Sequence, residues 1–281
     1  MIRLGLLGYP LGHSLSPVMH KAAFKHLEMD GDYTLIETPP DELFDTLKSL
    51  KIKKFTGFNV TIPLKVWIVP LLDKVDDYSN LAGAVNTVLI TEDNQLHGFN
   101  TDIYGFINAI PHEMRLNLKG KKAAVFGTGG VARSAAVGLY KIGVSEIDFY
   151  TRSLEKSTEF QELMTTKLPD AKLNFKENNF FPDLTGVSIA VNATPLGMEG
   201  VNVDISPAAK SSIDSLPKDA IVYDLVYKPK KTTLLKYAEA LGLKTIDGTE
   251  MLVLQGAKAF EIWTNKKPPV STMRSTVLNY L

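Results

Sequence analysis

The 281-residue sequence contains no cysteine, which excludes disulfides, thiolate metal sites and a cysteine nucleophile and fits a reducing compartment. It has no excess of either charge. With 31 Lys and Arg against 31 Asp and Glu, no global field draws the chain toward nucleic acid or anionic lipid, and a small molecule is the expected partner. No apolar run approaches the ~18 residues that a membrane-crossing helix needs, and no repeat at solenoid spacing is present. The apolar start, Met1 to Leu7, is interrupted by Arg3 and ended by Gly8-Tyr9-Pro10 before the core of a secretion signal would be complete. It reads as a buried strand, and the cytoplasm is the expected compartment. What is present is a globular composition, 44% hydrophobic and 22% charged, over a length that predicts two domains.

The front of the chain alternates apolar strands with helical periodicity: strands at 2–7, 33–37, 55–60 and 84–90, and helices at 17–28 and 41–50. Ser16 is the expected N-cap of the first helix with Pro17 as its first residue, and Leu43, Phe44, Leu47 and Leu50 are expected to face inward from the second. The β-α-β-α-β order predicts an open α/β sheet. A helix after Asp102 leads to a polar stretch, His112 to Lys122, that marks a boundary. Beyond it, strands at 123–126, 147–151, 188–192, 221–225 and 244–246 predict a Rossmann dinucleotide-binding sheet, and two helices follow Gly248. The expected division is 1–105, 106–246 and 247–281, with the last segment returning to the first domain.

Gly127-Thr128-Gly129-Gly130-Val131-Ala132 lies between a strand and a helix, where glycines let backbone approach a pyrophosphate and the helix N-terminus offers free N–H groups. Two readings fit: a dinucleotide site, or a tight turn with no ligand. The second strand ends Tyr150-Thr151-Arg152-Ser153 with Lys156 one turn on, and lacks the acidic residue that binds the ribose diol of NAD. Two cations there match a 2′-phosphate and predict NADP. Solvated helix-start cations are the alternative, and Asp148 becomes a ribose acceptor if the strand register is shifted.

Three polar stretches punctuate the front domain. Gly12-His13-Ser14-Leu15-Ser16-Pro17 puts Ser14 and Ser16 at a helix N-terminus suited to a carboxylate; His13 reads as a turn residue with no catalytic task. Asn59-Val60-Thr61-Ile62-Pro63-Leu64-Lys65 places Thr61 at a strand end and Lys65 in the first turn of a helix opened by Pro63, where the helix dipole disfavours a cation. Gly83-Ala84-Val85-Asn86-Thr87 and Gly98-Phe99-Asn100-Thr101-Asp102 put Asn86 and Asp102 at strand ends, positioned to clamp vicinal hydroxyls; Asp102 equally fits an N-cap.

These stretches, with Asn192-Ala193-Thr194-Pro195-Leu196-Gly197-Met198, Asp224-Leu225-Val226-Tyr227-Lys228-Pro229 and Asp247-Gly248-Thr249-Glu250-Met251-Leu252-Val253-Leu254-Gln255-Gly256, resemble the shikimate dehydrogenase family nearly end to end. The resemblance implies a substrate-binding and catalytic domain at 1–105, an NADP-binding Rossmann domain at 106–246, and C-terminal helices at 247–281 packing on the first. It implies Lys65 and Asp102 as the catalytic pair, and Ser14, Ser16, Thr61, Lys65, Asn86, Asp102, Tyr227 and Gln255 as contacts to shikimate or 3-dehydroshikimate. Gly127, Thr128, Gly129, Gly130, Val131, Ala132, Thr151, Arg152, Ser153, Lys156, Asn192, Thr194, Val226, Gly248 and Met251 are implied near NADP. No metal, nucleic acid or membrane is implied, and the chain is expected as a monomer or homodimer. Thr151 replaces the family's usual asparagine, and Lys21 follows His20 where asparagine is usual. A quinate/shikimate dehydrogenase with relaxed cofactor choice and a non-catalytic NADP-binding regulator are the alternatives; retention of Lys65 and Asp102 argues against the regulator.

Overall fold

A computed structural model of the chain describes residues 1–12, 14–201 and 206–281, so the His13 expectation lies outside the described residues. The chain forms two compact units, 1–105 with 253–280, and 106–252 with 281. The first carries β1 (Ile2–Gly8), α1 (Ser16–His26), β2 (Gly31–Glu37), α2 (Leu43–Ile52), β3 (Gly57–Val60), α3 (Leu64–Trp67), β4 (Lys74–Val75), α4 (Asp77–Ala82), β5 (Thr87–Ile90) and β6 (Leu96–Phe99). Their sheet runs β2-β1-β3-β5-β6-β4. β1 is parallel to β2 and β3, whereas β5 is antiparallel to β3 and β6.

The antiparallel hairpin was not legible beforehand, because β6 has four residues and only Leu96 and Gly98 are buried. On α2, Leu43, Leu47 and Leu50 follow the i, i+4, i+7 spacing of one face and pack with Phe58, Val88 and Ile68. Phe44 departs from expectation. Lying about 100° around the helix from Leu43, it is exposed, with the Lys48 ammonium 4.0 Å from its ring centroid. The start of α1 also differs: Ser16 is its first residue rather than its cap, and Ser14 Oγ accepts the Ser16 N–H at 3.3 Å. Pro17, which has no N–H to satisfy, then fits the second helical position without cost.

A helix, α5 (Thr101–Ala109), carries the chain into the second unit: α6 (His112–Leu116), β7 (Lys122–Phe126), α7 (Gly130–Ile142), β8 (Glu146–Thr151), α8 (Thr158–Lys167), β9 (Lys172–Glu177), β10 (Val187–Asn192), α9 (Lys210–Ile213), β11 (Ile221–Asp224), α10 (Thr233–Ala240) and β12 (Lys244–Ile246). Every pairing is parallel and the order is β9-β8-β7-β10-β11-β12. Counted from β7 this is 3-2-1-4-5-6, the Rossmann order. β9 was unforeseen: its charges mask an alternation in which Phe175 stacks on Phe149, while Asn174 and Lys176 hydrogen-bond Asp148.

α11 (Thr249–Thr264) and α12 (Val270–Leu278) follow. In the first unit Phe260 and Trp263 of α11 meet His20, and Phe260 also meets Phe24, while Trp263 Nε1 donates to Val88 O at 2.8 Å. Lys21 pairs with Asp32 at 2.9 Å in a solvated ion pair, a contact of about 0–1 kcal/mol. Among the described residues no helix is long and apolar enough to cross a membrane.

Candidate active site

Lys65 is the second residue of α3, and Asp102 lies in the first turn of α5. Their side chains meet, Nζ to Oδ2, at 2.6 Å, with Lys65 13% and Asp102 7% exposed. Asp102 does not cap α5. Asn100 does, its Oδ1 accepting the Ile103 N–H at 3.2 Å, and this frees the aspartate for the lysine. Nor does Pro63 open α3 from within; it occupies the cap position, with Leu64 first. Asn86 Nδ2 donates to the other Asp102 oxygen, Oδ1, at 2.8 Å, to Thr101 Oγ1 at 2.9 Å and to Gln255 Oε1 at 3.3 Å. Its Oδ1 accepts the Thr101 N–H at 2.8 Å.

Lys65, Asp102, Asn86 and Gln255 therefore form one hydrogen-bonded group, although 169 residues separate Asn86 from Gln255. An ammonium has three N–H donors, and Asp102 takes one, leaving others for a bound oxygen. Ion pairing on one side and a substrate oxygen on the other suit proton transfer at a carbinol. Thr61 is half-buried past the end of β3. Ser14 and Ser16 sit at the start of α1, half-buried and buried. Sequence reasoning left out Thr87 and Thr101, which complete the network; their signal was position, immediately beside Asn86 and Asp102.

In the second unit the glycine turn leaves β7 and enters α7. Gly127 has φ +107° and a Cβ there would stand 3.0 Å from Ala193 O, so the turn itself demands glycine. Gly129 is different. A Cβ would meet nothing within 4 Å, so protein packing does not require glycine, and the open face suits a pyrophosphate approaching the N-terminus of α7. Thr128, Gly130 and Val131 are half-buried beside it, and Ala132 is buried.

β8 ends at Thr151, whose Oγ1 accepts the Ser153 N–H at 3.5 Å, and Arg152 and Lys156 are exposed beyond it. Asp148 is occupied elsewhere. Burial pushes its carboxyl up, but Lys176, Asn174 and Lys122 outweigh that and hold it below its ordinary value. Asn192 spends its amide within the protein, donating to Asp224 Oδ1 and Leu196 O and accepting from Thr194. Asp224 also accepts from Val226 N and Thr232 Oγ1; burial nevertheless raises its carboxyl to about 6. Gly248 closes on the Leu225–Val226 backbone, leaving no room for a Cβ. Met251 is buried in the first turn of α11. Tyr227 is half-buried after β11, and burial raises its phenol.

The first unit thus holds a lysine–carboxylate pair suited to proton transfer, and the second a dinucleotide-type sheet and turn, the combination of a pyridine-nucleotide oxidoreductase. A family model described as the shikimate dehydrogenase substrate binding domain matches residues 6–88, and one described as the shikimate 5′-dehydrogenase C-terminal domain matches 248–278. The chain is 38% identical over 279 residues, 98% of its length and 96% of the relative's, to the shikimate dehydrogenase (NADP(+)) of Alkaliphilus metalliredigens. The crystal structure of the Thermus thermophilus shikimate 5-dehydrogenase with NADP(H) and shikimate matches all of both chains at 35% identity and TM-score 0.85. Quinate dehydrogenase from Corynebacterium glutamicum, solved with NAD, matches at 30% identity and TM-score 0.87 over 99% of each chain. The chain belongs to the shikimate dehydrogenase family.

Proposed function

We propose that the protein reduces 3-dehydroshikimate to shikimate with NADPH, reversibly, in the formation of aromatic amino acids. The observation that carries the chemistry is the 2.6 Å contact between Lys65 and Asp102, with Asn86 holding the second carboxylate oxygen. NADP supplies the two-electron exchange at the carbinol carbon when bound at the glycine turn. In reduction the Lys65 ammonium gives its proton to the alkoxide as it forms; in oxidation the amine takes it back, and Asp102 stabilises the cation and orients the hydroxyl. Ser14 and Ser16 anchor the substrate carboxylate, and Thr61, Asn86, Tyr227 and Gln255 bind its remaining oxygens.

Residues 1–105 with the C-terminal helices act as the substrate domain and 106–246 as the cofactor domain. Arg152 and Lys156 bind the 2′-phosphate, with Thr151 and Ser153 shaping the loop, and Gly127 to Ala132 bind the pyrophosphate. Asn192, Thr194, Val226, Gly248 and Met251 shape the remainder of the nucleotide site. The chain works in the cytoplasm as a monomer or homodimer, and the absence of cysteine fits that compartment. The likeness to a quinate dehydrogenase makes substrate choice the point to measure. Initial rates with shikimate and quinate against NADP and NAD test the reading. Shikimate with NADP is expected to give the highest kcat/KM, and a higher value for quinate or NAD refutes it.

A further inference from the structure

Tyr33 stands inside β2, fully buried, and its phenol has no task in the chemistry above. Its ring stacks on His20 at 4.5 Å and 5°, and neither imidazole nitrogen has a hydrogen-bond partner. The histidine therefore holds the phenol by shape alone. The hydroxyl donates to Asn59 Oδ1 at 2.8 Å. Burial raises the phenol and adjoining Ser16 opposes this, so Tyr33 remains a neutral donor.

A side-chain amide presents an acceptor at one end and donors at the other, and its partners decide which way it faces. With Tyr33 donating to Oδ1, Asn59 must aim Nδ2 at Asn86 O and Thr87 Oγ1, each at 3.0 Å. Thr87 in turn donates to Asn86 Oδ1 at 3.1 Å. Asn86 donates to Asp102, and Lys65 closes the chain. We propose that Tyr33 is a positioning residue for the reaction, acting through Asn59 and Thr87 to hold Asn86, and through it Asp102 and Lys65, in register. Without the hydroxyl, Asn59 Oδ1 loses the donor that fixes it, and the amide is anchored only through Nδ2, so it can shift against Asn86 O and Thr87 Oγ1. The inference rests on the function proposed above for the same site.

Tyr33→Phe keeps the ring and its stack and removes only the O–H. It is expected to lower kcat for shikimate oxidation about tenfold to a hundredfold, the range of a small misplacement of reacting groups. The isotope effect on kcat with shikimate deuterated at the reacting carbon is expected to rise, since the chemical step becomes slower. A loss of folded enzyme would lower kcat with the isotope effect unchanged, and that result overturns the proposal. Thr87→Val cuts the chain one link further on and should give the same signature, with the double variant no slower than the slower single one. Additive losses also overturn it. Exchange of the Asn59 side-chain amide protons, followed by NMR, should quicken in Tyr33→Phe; unchanged protection refutes the chain whether or not the enzyme turns over. Failure of the wild type to oxidise shikimate instead refutes the function, and amide exchange still decides the role of Tyr33.

Discussion

His20 makes the stability of the first unit depend on pH. Burial, its sole perturbing cause, lowers the imidazole from 6.5 to about 3. Below pH 6.5 the unfolded chain binds a proton that the folded chain refuses. The stabilising contribution is therefore complete above the unfolded value and is lost as pH falls toward about 3. Linkage over that window gives a loss of about 3 kcal/mol between pH 7 and pH 4. His20→Phe, which has no titrating ring, should lack this component while retaining an aromatic face against Tyr33. Both tryptophans, Trp67 and Trp263, lie in the first unit, so their fluorescence in urea reports its unfolding. The carboxylates titrate alike in both proteins and cancel in the comparison; any overpacking by phenylalanine adds a constant offset. The expected result is a difference between the two stabilities that changes by about 3 kcal/mol from pH 7 to pH 4. Parallel curves across that range would refute the reasoning.

Lys65→Ala should cut kcat by about two to four powers of ten with a smaller change in shikimate KM, since proton transfer acts in the transition state; an active variant contradicts the assigned role. Arg152→Ala should reduce the NADP over NAD ratio of kcat/KM by about one to two powers of ten, the worth of a charge-assisted bond to phosphate. An unchanged ratio moves the phosphate site to another loop. Gly57→Ala should cost about 2–4 kcal/mol in urea unfolding, because its Cβ overlaps Trp263 Nε1 and Val88 O and breaks their hydrogen bond; a loss under about 1 kcal/mol would show that the strand yields.

The ends of β7 and β8 and the glycine turn were legible because each is written in consecutive residues: an apolar run, Gly127 to Gly130, then helical periodicity. The same holds for the polar stretches around Ser14, Lys65, Asn86 and Asp102, whose residue types at strand and helix ends marked the candidate site. Tertiary structure decided which of several equivalent polar groups takes each task. Ser14 rather than Ser16 receives the first N–H of α1, and Asn100 rather than Asp102 caps α5, leaving the aspartate to Lys65. It also made His20 and Tyr33 interior residues and joined Asn86 to Gln255 across 169 positions. Local pattern reports helix and strand periodicity over a few residues, whereas burial and hydrogen-bond partnership depend on segments distant in the chain that pack over the same point.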